Sequence, residues 1–133
     1  MASRWFSTVI DARDHGRLAR WWAEVLDYQV VFEDTGRTFI ADRASAARRD
    51  PEESELDPRS APGLMFVSVP DRKSGKNRLH LDIDPDDQDA EVERLVDMGA
   101  RHVDTGQRRV PWVVLADPEG NEFCVTVPRG PSV

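Results

Sequence analysis

Apolar residues fall into two rhythms along this chain, and the order in which those rhythms alternate is its main structural signal. Residues 5–11 read as a strand. Leu18, Trp21, Trp22, Val25 and Leu26 then recur at i, i+3, i+4, i+7 and i+8, one apolar stripe at the helical period. Asp14 stands where an N-cap belongs, and Asp27, tolerant of the left-handed conformation, marks the stop. Tyr28 to Glu33 alternates as a strand, Thr35-Gly36 turns the chain, and Arg37 to Ala41 runs back. Residues 42–63 break the rhythm. Rich in Arg, Asp, Glu, Ser and Pro, they read as a long surface excursion with a short helical turn near Ala44–Arg48. Leu64 to Val69 is an almost unbroken apolar run.

The same order then returns. Arg78 to Asp84 reads as a strand. Asp84 is placed to cap a helix with Pro85 in its first position, and Asp86, Asp87 and Asp89 complement the positive end of the dipole. Val92, Leu95 and Val96 supply the apolar stripe, and Gly99 ends the helix. Strands follow over 101–104, 112–116 and 123–127, the last two joined by the turn Asp117-Pro118-Glu119-Gly120. The pattern predicts an α+β chain: one domain over 1–133, made of two βαβββ modules at about 5–69 and 78–128, joined by a polar, basic link. The repeat lies in element order and hydrophobic phase, since identity between the halves is negligible.

Charge and composition narrow the partners. A formal charge of −7 argues against nucleic acid, whose phosphates demand a basic face. A single cysteine allows no internal disulfide and fits a reducing cytosol, so a cytoplasmic location is expected. The first residues hold no signal-peptide apolar core. No segment approaches the about 18 apolar residues of a membrane span, so no membrane partner is expected.

The candidate chemistry sits on the second module. Strand parity puts Arg78, His80 and Asp82 on one face and Leu79, Leu81 and Ile83 on the other, with the leucine face turned to the helices. His80 has two readings, a structural strand residue or an acid–base group that Asp82 orients and charges near neutrality. Cys124 shares parity with Glu122 and Thr126, opposite Phe123, Val125 and Val127. As a nucleophile it would need a base close by; otherwise it is a small filler. Trp112, after Pro111 at a strand start, reads as core or as an aromatic wall. No Walker loop, dinucleotide fingerprint, Gly-x-Ser-x-Gly elbow or CxxC pair is present.

The doubled βαβββ order resembles the vicinal oxygen chelate superfamily, which holds glyoxalase I, bleomycin-resistance proteins and extradiol dioxygenases; the small glyoxalase-like domain proteins are nearest in pattern. The residues that carry the likeness are Asp11-x-x-Asp14, Trp21-Trp22, Leu26-Asp27-Tyr28, Lys76 through Asp82, Met98-Gly99-Ala100 and Trp112 through Cys124. The resemblance implies that the modules form a curled, eight-stranded, cup-shaped mixed sheet with helices outside, a ligand on the concave face, and a homodimer. It also implies a divalent ion held by two side chains from each half. The matching positions are Ser7, then Val67 or its neighbours Met65 and Phe66, then His80, then Cys124 in place of a carboxylate. His80 is the only good ligand among them, so no metal and no other cofactor are expected.

The expectation is therefore a protein or enzyme that takes a small organic molecule into the cup without the usual metal. Trp5, Phe66 and Trp112 would wall the pocket, and Ser7, Glu122 and Cys124 would line it. His80 and Asp82 would move a proton while Arg78 stabilises the developing anion. Two alternatives stand beside it: a metal-dependent lyase or isomerase of the glyoxalase I kind, and a drug-sequestering protein of the bleomycin-resistance type, whose cationic ligand the acidic balance would suit.

Overall fold

A computed structural model describes residues 2, 3, 5–43, 61–104 and 109–128. The chain divides into two compact units, 1–72 and 73–133, and the boundary falls in the expected basic link. The helical turn expected near 44–48 lies outside the described residues.

The first unit runs β1 (Ser7–Ala12), α1 (His15–Leu26), β2 (Tyr28–Glu33), β3 (Arg37–Asp42) and β4 (Gly63–Ser68). Its sheet has the order β1-β4-β3-β2, with β1 parallel to β4 and the other pairs antiparallel. The helix begins where expected: Asp14 Oδ1 accepts from the Arg17 N–H at 3.2 Å. It stops at Asp27, whose φ of 55° is left-handed. Leu18, Trp21, Trp22 and Val25 are buried on its inner stripe, and Ile40, Leu64 and Phe66 are buried on the strands. Each large side chain so buried contributes about 1.5–3 kcal/mol. Strand β1 starts two residues later than expected, leaving Trp5 and Phe6 exposed ahead of it.

Two local features hold this sheet. Gly63 opens β4 because nothing larger fits there. A Cβ would run into the Phe39 ring and lie 2.9 Å from the Ile40 carbonyl oxygen. On the hairpin, Glu33 receives Arg20 at 2.8 and 3.0 Å and the buried Thr38 hydroxyl at 2.9 Å. His15 Nδ1 lies 2.7 Å from the same hydroxyl and its Nε2 lies 3.2 Å from the Thr35 carbonyl. Hydrogen bonds from Arg20 and Thr38 hold the Glu33 carboxyl at about 2.

The second unit runs β5 (Leu81–Ile83), α2 (Gln88–Asp97), β6 (Arg101–His102), β7 (Val113–Ala116) and β8 (Glu122–Val125), in the order β5-β8-β7-β6. It repeats the first: β5 is parallel to β8, and the rest are antiparallel. The doubled βαβββ organisation and the α+β class are thus present.

Several boundaries differ from expectation. Strand β5 spans three residues, so Arg78 and His80 precede it and Leu79 is 86% exposed rather than packed. Asp87, not Asp84, caps α2, its Oδ1 accepting from the Ala90 N–H at 3.0 Å. Asp87 takes the extended backbone of a cap, φ −139° and ψ 113°, so the helix opens three residues later than expected. Leu95 alone on α2 is fully buried, and Val96 is exposed. Gly99, at φ 111°, closes the helix as expected. Its N–H reaches the Val96 carbonyl at 3.0 Å, and that of Ala100 reaches Leu95 at 2.9 Å, a Schellman pattern. Strand β6 has two residues instead of four, and Trp112 and Val127 fall outside their strands.

Gly63→Ala is expected to cost about 1–3 kcal/mol through overpacking against Phe39. Gly36→Ala, where a Cβ meets only the Asp34 carboxylate at 3.7 Å, changes little. Denaturant unfolding of both variants checks this. The depressed Glu33 carboxyl contributes stability that is full above its ordinary value near 4.5 and is lost as pH falls towards about 2. Glu33→Gln is expected to flatten that part of the acid-unfolding profile.

Candidate functional site

The site grows from one parallel strand pair. Leu81 faces Phe123, Asp82 faces Cys124 and Ile83 faces Val125 across β5 and β8. Ile83, Phe123 and Val125 are buried, which fixes their face as the inner one. The period of two then puts Asp82 and Cys124 together on the other face. His80, just ahead of β5, turns its Nε2 to within 3.3 Å of Asp82 Oδ1. The ligand atoms of His80, Asp82 and Cys124 all lie within 4.8 Å of one another. The His80 and Asp82 side chains are 43% and 54% exposed, open to a solute, while Cys124 is buried beneath them.

Electrostatics keep the thiol neutral. Burial pushes Cys124 up, and the Asp82 carboxylate beside it pushes the same way, while Lys76 opposes them. A thiol held in its protonated form is a poor nucleophile. An imidazole nitrogen, a carboxylate oxygen and, on deprotonation, a thiolate sulfur also form a donor set suited to a borderline ion such as zinc, with a fourth position left for solvent or substrate.

Two residues before Cys124, Glu122 has both carboxylate oxygens engaged. Lys73 Nζ donates to Oε1 at 2.8 Å, and the Asn77 N–H donates to Oε2 at 3.2 Å. Burial raises the Glu122 carboxyl, but these hydrogen bonds and the Lys73 charge outweigh it and leave the group below its usual value. Asn77 Nδ2 also donates to Asn121 Oδ1 at 3.0 Å. Asn121 in turn donates to Asp117, which is fully buried in the β7–β8 turn. Gly120 there has φ 90°.

Of the residues singled out in the sequence, His80, Asp82 and Cys124 are brought together. Arg78 is exposed on the approach to β5, and Trp112 is 42% exposed just before β7. Glu122 is committed to Lys73 and Asn77. Trp5, Ser7 and Phe66 belong to the first unit. Trp5 is exposed, with its indole N–H on the Ser7 carbonyl at 3.2 Å, and Ser7 is half-buried in β1. Phe66 is fully buried in the core of that unit, so it presents no wall to a solute there. Lys73, Asn77 and Asn121 were not foreseen as members of the site's surroundings. Their only signal is the crowding of Lys and Asn before one strand and of Asn-Glu before the other.

A sequence model described as a glyoxalase-like domain matches residues 7–126. Among solved structures, the chain is similar to a glyoxalase/bleomycin resistance protein/dioxygenase family enzyme from Burkholderia phytofirmans, with 16% identity, TM-score 0.67, and 94% of this chain and 98% of that one covered. It is similar to the trypanothione-dependent glyoxalase I of Leishmania major, with 14% identity, TM-score 0.61, and coverage of 95% and 87%. It is also similar to a fosfomycin resistance protein from Listeria monocytogenes complexed with Mn(II), with 9% identity, TM-score 0.64, and coverage of 95% and 90%. At these identities the likeness is one of fold. No curated protein matches the chain.

The thiol's surroundings yield a signed expectation. Asp82→Asn removes a negative charge that raises Cys124 and should shift the pH profile of thiol alkylation to lower pH. Lys76→Ala removes the opposing cation and should shift it to higher pH. Alkylation rates measured across pH check both directions.

Proposed function

The chain belongs to the glyoxalase-like domain family, and from that premise we propose that it acts on a small organic molecule by proton transfer at the His80–Asp82 pair. The observation that carries this reading is the 3.3 Å approach of the His80 ring to Asp82 above a neutral, buried Cys124. In this reading the Nε2 proton faces Asp82 Oδ1, 3.3 Å away, and Nδ1 is the basic nitrogen. Asp82 fixes the ring's tautomer and stabilises the imidazolium formed when Nδ1 takes a proton. Cys124 faces Asp82 across the β5–β8 pair and, as a neutral thiol, sets no second negative charge beside it. Arg78, exposed ahead of the pair, is the cation suited to the anion left on the substrate. Homodimerisation, implied by the family, belongs to the same reading and is checked by sedimentation equilibrium.

The same cluster favours a second reading, in which a divalent ion takes His80, Asp82 and Cys124 as ligands. The donors fit a borderline ion better than a hard one, because one is a sulfur. An ion there would polarise a substrate oxygen or activate water. The first-unit positions that the resemblance assigns to metal binding do not add to this set: Ser7 is a poor ligand, and Met65, Phe66 and Val67 supply no hard donor.

Proton NMR in D2O distinguishes the readings. The protein is incubated with a panel of small molecules that carry an acidic C–H beside a carbonyl. Catalysed exchange or isomerisation of at least one is expected, reduced by about 10²–10⁴ in His80→Gln and persisting in chelator-treated protein. A panel without turnover, or full activity in His80→Gln, overturns the proton-transfer reading. Turnover that vanishes on chelation and returns with added zinc selects the second.

A further inference from the structure

We infer that the Lys73–Glu122 ion pair is a positioning device, strapping the segment ahead of β5 onto the start of β8 so that the His80 ring stays beside Asp82 and Cys124. The inference deepens the reading above, since it concerns the same site. It starts from a gap in the regular structure. His80 lies outside the β5–β8 ladder, which begins at Leu81. Its neighbour Leu79 is 86% exposed and gives no apolar anchor. Neither sheet pairing nor burial therefore fixes the residue on which the proposed chemistry depends.

What fixes the approach to it is polar. Lys73 donates to Glu122 Oε1 and to the Gly75 carbonyl, bending the chain through Gly75 at φ 72°. Asn77 is then held twice, by its N–H on Glu122 Oε2 and by its side chain on Asn121. Three residues later comes His80. On the other strand, Glu122 and Cys124 are two residues apart and so share a face. The strap and the thiol are presented by one short piece of β8, and the strap leads directly into the histidine.

Burial decides whether such a pair can hold anything. The Lys73 and Glu122 side chains are 17% and 12% exposed, whereas those of the hairpin pair Arg20–Glu33 are 57% and 36% exposed. An exposed pair is partly screened by solvent, so removing one partner costs less than it does in an enclosed pair. A pair this enclosed leaves a costly unpaired charge when one partner is removed, so its two halves stay together. Glu122 therefore acts through His80 rather than on a ligand.

The test reads the position of His80 without any ligand, so it succeeds or fails independently of turnover. In the labelled full chain, cross-relaxation between the His80 ring protons and the Cys124 β-protons reports their proximity. Glu122→Gln and Lys73→Met are each expected to weaken that signal severalfold. The charge-exchanged double variant, Lys73→Glu with Glu122→Lys, restores the opposite charges but leaves the Asn77 N–H without its acceptor, and is expected to recover the signal only in part. Leu95→Ala, which opens a cavity in the core of the same unit, should lower the thermal midpoint and leave the signal in place. Should Glu122→Gln fail to fold, Lys73→Met decides alone. An undiminished signal in the folded single variants, or an equal loss in Leu95→Ala, overturns the inference.

Discussion

The parallel register of β5 on β8 is the constraint from which the site follows. A parallel pair has no tight turn to set its alignment, so side chains and polar contacts at its ends must do so. Inside, Ile83, Phe123 and Val125 are buried, and a one-residue slip of either strand would turn its polar member, Asp82 or Cys124, to that face. At the far end, the Thr126 N–H and hydroxyl both reach the Ile83 carbonyl, at 2.9 and 3.2 Å. Gln88, the first residue of α2, ties the Val125 and Pro111 carbonyls together at 3.1 and 2.8 Å. At the near end stands the Glu122 strap. The pair is clamped at both ends, and the clamped face carries the candidate chemistry.

How much of this was legible in the sequence depended on the range of the forces involved. Helix α1 was readable throughout because its cap, its stripe and its stop are local: Asp14, the Leu18–Val25 spacing and Asp27 lie within one short segment. Gly99 was readable for the same reason. Asp84 and Asp87 are both good caps by type, and Pro85 is compatible with either, so composition alone does not choose between them; the Ala90 N–H on Asp87 does. The alternation from Arg78 to Ile83 suggested a longer strand than exists. Side-chain type does not reveal that the Asn77 N–H spends itself on Glu122 rather than on a ladder.

The site itself was half legible. Parity placed His80 with Asp82, and separately gave Cys124 its face, but only the register joins the two groups. The Lys73–Glu122 pair spans 49 positions and leaves no periodic trace, so Glu122 read as a ligand-facing acid. Phe66 read as a pocket wall because β4 is apolar on both faces, and such a run does not say which of its residues turns inward.

The identity of residue 124 governs what the cluster can do. A carboxylate there would sit against Asp82 as a like charge, and one of the two would have to keep its proton. A thiol avoids that conflict. Raised by burial and by Asp82 itself, it stays neutral and sets no second negative charge beside that carboxylate. The proton on Cys124 therefore underwrites the acid–base reading. Its loss would place a thiolate beside a carboxylate, an arrangement of like charges that only a bound cation would make favourable. The two proposed readings, proton transfer by His80 and metal ligation by all three residues, thus differ by a single sulfur-bound proton.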